Sequence, residues 1–385
     1  MSDIDEMEID HVGVPSDIAF SSEGKGKKMS KANLPVSAQD TLPWVEKYRP
    51  DTLDDVTGHE DILQTINRFV ESNRLPHLLF YGPPGTGKTS TILALARKIY
   101  GAQNLRQQVL ELNASDDRGI EVVREQIKTF ASTRQIFGGV AGKGDGLGSF
   151  KLIILDEADA MTSTAQNALR RIMEKYTANT RFCIIANYTH KLNPALLSRC
   201  TRFRFSPLPI TALRKRVDHV IEAEGIKITD SARESLLTLS RGDMRRSLNV
   251  LQACFASSTP LDASGRPTPT QPHEEITDEH IYDCIAAPHP SDIQQIMNTL
   301  LKQDVTTSLR TIHEIKTNKG LALADILASL SEELCSLEVP KQTMVVWLEG
   351  LAEIEWRVGS GGSEGVQTGG MAGVVRNGVR VMKNK

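Results

Sequence analysis

The chain has 385 residues, 39% of them hydrophobic and 24% charged, which suits a soluble protein of two or three domains with substantial cores. Its formal net charge of −3 excludes a globally basic nucleic-acid binder, although a local basic surface can still form on assembly. Five cysteines (Cys183, Cys200, Cys254, Cys284, Cys335) never form a CxxC pair and show no ligand-like spacing with the nine histidines, which argues against zinc and against a disulfide framework.

Residues 1–40 are polar and lack periodicity. The acidic start "MSDIDEMEID" is not a secretory signal, and the lysine-rich "SSEGKGKKMSKAN" reads either as a disordered tail or as a weak nuclear-targeting run. Order is expected to begin at "LPWVEKYRP". No apolar run approaches the roughly 18 residues needed to cross a membrane.

From residue 78, short apolar runs alternate with helical patterns. "LLFY" (78–81), "VLEL" (109–112), "KLIIL" (151–155) and "RFCIIA" (181–186) read as buried strands, and "TRFRF" (201–205) as a fifth. Helices are predicted over "KTSTILALARKIY", "GIEVVREQIKTFAS" and "TAQNALRRIMEKY". This alternation predicts an α/β domain over 41–206, with a five-stranded parallel sheet covered by helices on both faces. The glycine-rich stretch 138–149 is expected to be a surface loop without a phosphate role.

After "SPLP" (206–209) the strands stop. Leu213, Val217, Val220 and Ile221 mark one helix, "TDSARESLLTL" a second with Ser231 and Glu234 as a capping box, and "DMRRSLNVLQACF" a third. They form a small helical lid domain over 207–256. A proline- and serine-rich linker spans 257–275. Residues 276–385 read as an all-helical domain, with "GSGGSEGVQTGG" expected to be a loop before one last basic helix.

The chemistry concentrates at strand ends. "GPPGTGKT" (82–89) follows a strand and opens a helix, the context a P-loop needs. Gly82, Gly85 and Gly87 let the backbone curl so that successive N–H groups face one anion, with Pro83, Pro84, Thr86 and Ser90 as further ATP-binding positions; Lys88 supplies a cation for the β- and γ-phosphates, and the Thr89 hydroxyl suits Mg²⁺. "LIILDEAD" places Asp156 at the carboxyl end of a buried strand as the Mg²⁺ carboxylate, and Glu157 as general base for a water in line with the γ-phosphate. Adjacent acids here favour ATP hydrolysis. Asn187, ending the fourth strand, either orients that water or is a turn residue. Arg245, at the start of the third lid helix, can reach back to the phosphates, whereas Arg246 points elsewhere. Arg199 stands between Ser198 and Cys200, outside the strand alternation of Arg202 and Arg204, and either caps the short helix before it or acts elsewhere.

Taken in order, the P-loop, "DEAD", the strand-end Asn, "SRC" and the "GDMR" helix resemble an AAA+ ATPase. "LPWVEKYRPDTLDDVTGHE" (42–60), "ELNASDDRGI" (111–120) and "LLSRC" resemble more narrowly the small subunits of replication factor C, the eukaryotic sliding-clamp loader. The resemblance covers about residues 42–256, and the helical tail matches the family's collar by size and position. Stretches 138–149 and 257–275 look longer than the family's and take no role from it.

The resemblance implies an ATPase subunit of a heteropentamer, one large and four small subunits, that uses ATP and Mg²⁺ to load the clamp on primer–template DNA in the nucleus. Arg199 would serve a neighbouring subunit's ATP as a finger. Val45, Tyr48, Arg49, Pro50 and Val56 would line the adenine pocket, although Tyr48 and Val56 read equally as core. Arg118 would contact the DNA backbone, or pair locally with Asp116 or Asp117; Arg124, Lys128 and Arg134 follow on the next helix, on different faces. Ile136 and Phe137 would dock on the clamp, or be core. Two other readings use the same site: a self-sufficient AAA+ DNA motor, which lacks a reason for "WVEKYRP" and would want a winged helix, and an ATP-binding scaffold with little turnover.

Overall fold

The computed structural model describes residues 42–114, 120–133, 150–258 and 274–383. The N-terminal tail 1–40, Arg118, Arg134, Ile136, Phe137, the 138–149 stretch and most of the 257–275 linker lie outside these residues, and the side chain of Arg124 does as well.

The elements run in chain order as α1 (Trp44–Lys47), α2 (Glu60–Glu71), β1 (Leu78–Tyr81), α3 (Lys88–Gln108), β2 (Val109–Asn113), α4 (Ile120–Ser132), β3 (Lys151–Asp156), α5 (Ser163–Tyr176), β4 (Thr180–Ala186), α6 (Pro194–Leu197) and β5 (Thr201–Arg204). All pairings are parallel, in the order β2-β3-β4-β1-β5. Alternation along the strands builds two cores. Leu78, Phe80, Leu152, Ile154, Cys183 and Ile185 face α2 and α3, while Leu79, Ile153, Leu155, Phe182 and Ile184 face α4 and α5. Burial on both sides explains why these strands read as unbroken apolar runs. Helix α3 runs past the expected end at Tyr100 after a break at Gly101, whose φ is 71°. Helix α2, which the sequence reading did not assign, buries Ile66 and Val70 beside β1.

The lid follows as α7 (Ile210–Glu224), α8 (Asp230–Leu239) and α9 (Met244–Ser257). The expected capping box on α8 is corrected. Thr229 caps it, accepting from Ala232 N at 3.2 Å, and Glu234 instead pairs with Arg214 across to α7. Ser231 lies inside the helix, where its hydroxyl meets that of Thr229 at 3.1 Å. Trp44 packs in the lid core, its ring 5.4 Å from that of Phe255 and its backbone N–H donating to Gln252 Oε1 at 3.0 Å. The "WVEKYRP" segment therefore lies between the sheet domain and the lid. Helix α10 (Asp278–Ile285), grouped by the sequence reading with the C-terminal helices, packs on α8 and α9 through Ile281.

The C-terminal helices are α11 (Pro290–Lys302), α12 (Val305–Lys319), α13 (Leu323–Ser336), α14 (Lys341–Gly359) and α15 (Glu364–Lys383). They share one core around the fully buried Trp347. The expected loop over 359–370 is corrected too: α15 begins at Glu364 and carries Gly365, Gly369 and Gly370 inside it. One glycine on each helix, Gly350 of α14 and Gly378 of α15, lets the two approach closely. A Cβ at Gly350 would lie 2.5 Å from Val374 Cγ1, and one at Gly378 would lie 2.1 Å from Trp347 Nε1.

Candidate active site

The phosphate loop joins the end of β1 to the start of α3, at the carboxyl edge of the parallel sheet where such folds bind ligands. Gly87, at φ 91°, precedes the first helical residue Lys88, so the helix N-terminus and its free N–H groups open onto the loop. Lys88 is buried. Its ammonium donates to Gly82 O at 2.8 Å, Pro83 O at 2.7 Å and Asn187 Oδ1 at 3.1 Å. Burial lowers this ammonium to about 8; the Asp156 carboxylate opposes the shift and Arg245 reinforces it.

The Thr89 hydroxyl donates to Asp156 Oδ2 at 2.7 Å, so the two oxygen donors expected for Mg²⁺ already touch. A hydroxyl and a carboxylate form a hard oxygen set suited to that ion. Among the described residues no group of three His, Cys, Asp or Glu could hold a metal, which leaves phosphates and water to complete such a coordination shell. Asp156 Oδ1 accepts from Glu157 N at 2.8 Å. Glu157 is exposed and sits at φ 53°, a left-handed conformation that costs a non-glycine residue on the order of 1 kcal/mol. Asn187 is held from behind by Asp159 Oδ1, which accepts its N–H at 3.3 Å.

One cleft gathers Val45, Tyr48, Arg49, Pro50, Val56, Pro84, Gly85, Thr86, Gly87, Lys88, Thr89, Ser90, Asp156, Glu157, Asn187 and Arg245. Gly82 and Pro83 do not line it, but their carbonyls hold Lys88. The sequence reading missed Asp55, Thr57, Leu208, Arg216, Met244 and Leu248, which complete the wall. Leu248 was legible as one turn on from Arg245. Arg216 carried no such signal: it stands on α7, its guanidinium donates to Tyr48 O, and burial lowers its pKa. The Tyr48 hydroxyl in turn donates to Glu224 at 2.6 Å, and Lys47 pairs with the same carboxylate, so the end of α7 is tied to the "WVEKYRP" segment.

Arg199 lies outside the cleft. Its guanidinium reaches Glu174, Ala195 O and, at 3.3 Å, Ser198 Oγ. Arg202, Arg204 and Arg246 are exposed and also outside it. Lys128 is exposed and lines a separate groove between α4 and α5 with Arg171 and Lys175.

Residues 78–208 match the ATPase family associated with various cellular activities (AAA), and residues 288–374 match the replication factor C C-terminal domain. The chain is similar to replication factor C subunit 3 of Blastobotrys adeninivorans, 56% identical over 91% of this chain and 97% of that protein. It is similar to subunit 3 of Saccharomyces cerevisiae, 52% identical over 88% and 94%, and to subunit 5 of Homo sapiens, 51% identical over 85% and 89%. Among solved structures, the Thermotoga maritima RuvB Holliday junction branch migration motor overlays at a TM-score of 0.47 with 14% identity, covering 76% of this chain and 93% of that one, too loosely to bear on function.

Proposed function

The chain belongs to the replication factor C family as an AAA+ ATPase subunit, and from that premise we propose how its site works within a heteropentameric clamp loader. The observation that carries the proposal is the separation just described. Lys88, Thr89, Asp156, Asn187 and Arg245 converge on one cleft, while Arg199 points outside it.

ATP enters with its adenine against Val45, Tyr48, Pro50 and Val56 and its phosphates over the loop. Lys88 exchanges the carbonyls of Gly82 and Pro83 for β- and γ-phosphate oxygens. Thr89 and Asp156 hold Mg²⁺, which when bound neutralises phosphate charge. Glu157 takes a proton from the attacking water, and Asn187 orients that water beside Lys88. Arg245, on the first turn of α9, reads the phosphates and couples lid closure to nucleotide state. Arg199 completes a neighbouring subunit's site, where a guanidinium on transition-state charge is worth roughly 10³–10⁵ in rate.

The partners are one large and three other small subunits, the sliding clamp, and primer–template DNA bound without sequence preference. We propose that Arg118, Arg124 and Lys128 contact the DNA backbone and that Ile136 and Phe137 contact the clamp. The setting is the nucleus, in replication and repair. ATP turnover tests the reading. It should be low for the chain alone, rise with partner subunits, rise again with clamp and primed DNA, and fall with Arg199→Ala. Full turnover by a homo-oligomer indifferent to partners and clamp would overturn it.

A further inference from the structure

Helix α5 starts seven residues after Asp156 and ends beside Arg199. On one of its faces, Gln166, Arg170 and Glu174 follow at four-residue spacing. Gln166 is 2% exposed. Its amide donates to Met161 O at 3.1 Å and Lys191 O at 3.0 Å, and its carbonyl accepts from Asn193 N at 2.7 Å. Asn193, whose side chain also donates to Asn167 of α5 at 2.9 Å, caps α6. The segment that carries Arg199 is thus clipped to α5 at its start. At its end the guanidinium bridges two anchors, Glu174 and Ala195 O near the start of α6. Arg170 approaches the same carboxylate at 3.9 Å.

An exposed arginine has many rotamers, and freezing them at the moment of reaction is unfavourable. We infer that Glu174 is the positioning residue of Arg199: together with Ala195 O it fixes the guanidinium in one place beside the SRC turn, so that a neighbour's phosphates meet a preoriented group. This inference rests on the trans-acting reading of Arg199. Both side chains are partly exposed, at 36% and 45%, so the pair adds little to stability and its effect belongs to orientation. The link also runs through α5 to the turn that carries Glu157, which connects this chain's own water-activating carboxylate to the arginine it lends.

The test is a double-mutant cycle on turnover by the assembled complex with clamp and primed DNA. Arg199→Ala defines the arginine-dependent part. Glu174→Ala should cut that part about tenfold, as expected for a misplaced catalytic group. It should change nothing further in an Arg199→Ala background, and should leave assembly and ATP binding by this chain intact. Glu174→Gln, which keeps an accepting oxygen at the same reach, should restore part of the loss and serves if the alanine variant does not assemble. Unchanged turnover with Glu174→Ala, or an equal loss in both backgrounds, would overturn the positioning role while leaving the finger standing. Unchanged turnover with Arg199→Ala would remove the trans-acting reading and this inference with it.

Discussion

The carboxylate of Asp243 lies over the Cα of Gly85: a Cβ on Gly85 would sit 1.6 Å from Asp243 Oδ1. Asp243 also caps α9, accepting from Arg246 N at 3.1 Å, and the next N–H, of Met244, donates to Gly85 O at 3.2 Å. The lid helix that carries Arg245 is therefore docked directly on the phosphate loop. Gly85→Ala meets both this clash and a φ of 68°. It should weaken ATP binding at least about tenfold, the equivalent of 1.4 kcal/mol. It should also lower the melting temperature more than Gly87→Ala, because a Cβ at Gly87 meets nothing within 4 Å. Fluorescent-nucleotide titration and thermal melts of the two variants check this; equal melts would refute the docking.

Lys88 gives a pH dependence. Its ammonium titrates at about 8 in the folded chain, against an ordinary value of 10.5. Bound phosphates favour the protonated form, so ATP binding above pH 8 should take up a proton and weaken by up to about tenfold per pH unit. Without nucleotide, the unfolded chain binds the extra proton between pH 8 and 10.5, so this group's contribution to stability rises with pH across that window. Calorimetric titrations at pH 9 in buffers of different ionisation enthalpy report the uptake directly. A heat independent of buffer would contradict the prediction.

Asp156 and Glu157 should separate. Asp156 accepts from Thr89, while Glu157 is exposed at the strained turn. Glu157→Gln is expected to bind ATP normally and lose about 10²–10⁴ in turnover, the usual worth of a general base. Asp156→Asn is expected to lose the magnesium dependence of binding. Affinity measured with and without Mg²⁺ distinguishes them, and an Asp156→Asn chain that still binds more tightly with Mg²⁺ would remove Asp156 from the metal site.

The contrast between these residues and the rest of the cleft shows what the sequence carries. The P-loop is contiguous, and a buried parallel strand ending in two acids is a local pattern, so residues 82–90, 156 and 157 were legible one by one. The far wall is assembled largely from lid residues distant in sequence from the P-loop, and whether Arg216 or Leu248 faces it depends on how the lid packs. Helix α2 is a plain omission, since Ile62, Ile66 and Phe69 already keep helical spacing. The start of α15 was hidden for a physical reason. Each glycine costs a helix about 1 kcal/mol relative to alanine, so a run of them reads as loop; a Cβ at Gly365 or Gly369 would meet nothing within 4 Å, and α15 forms in spite of these glycines because its later turns pack into the shared C-terminal core.

His77 should make the sheet domain acid-sensitive. It is buried between β1 and β4, and its Nδ1 accepts from Phe182 N at 3.2 Å, a bond available to the neutral ring. Burial, with Arg181 adding to it, lowers its pKa to about 4 from 6.5. Between these values the unfolded chain binds the proton and the folded chain does not. Stability present above pH 6.5 is therefore lost as pH falls toward 4, by up to about 3 kcal/mol at 1.36 kcal/mol per unit. Urea unfolding at pH 7 and pH 4.5 should show this loss, and His77→Gln should reduce it. A variant whose pH dependence matched the natural chain would assign the acid sensitivity elsewhere.

The C-terminal domain depends on the contact between Trp347 and Gly378 of α15. Trp347 is fully buried, its indole N–H donates to Val375 O at 2.8 Å, and the Gly378 Cα lies against its ring. Truncating a buried aromatic removes both packing and, here, the partner of a buried carbonyl, so Trp347→Ala should destabilise by about 3–5 kcal/mol. Gly378→Ala adds a favourable helix residue, worth about 1 kcal/mol in an open position. Here its methyl would fall 2.1 Å from Trp347 Nε1, so the substitution should be net destabilising and separate α14 from α15. Gly373→Ala, with nothing within 4 Å, is the control and should raise the melting temperature. If Gly378→Ala stabilised the chain as Gly373→Ala does, close packing against Trp347 would not be the reason a glycine stands at position 378.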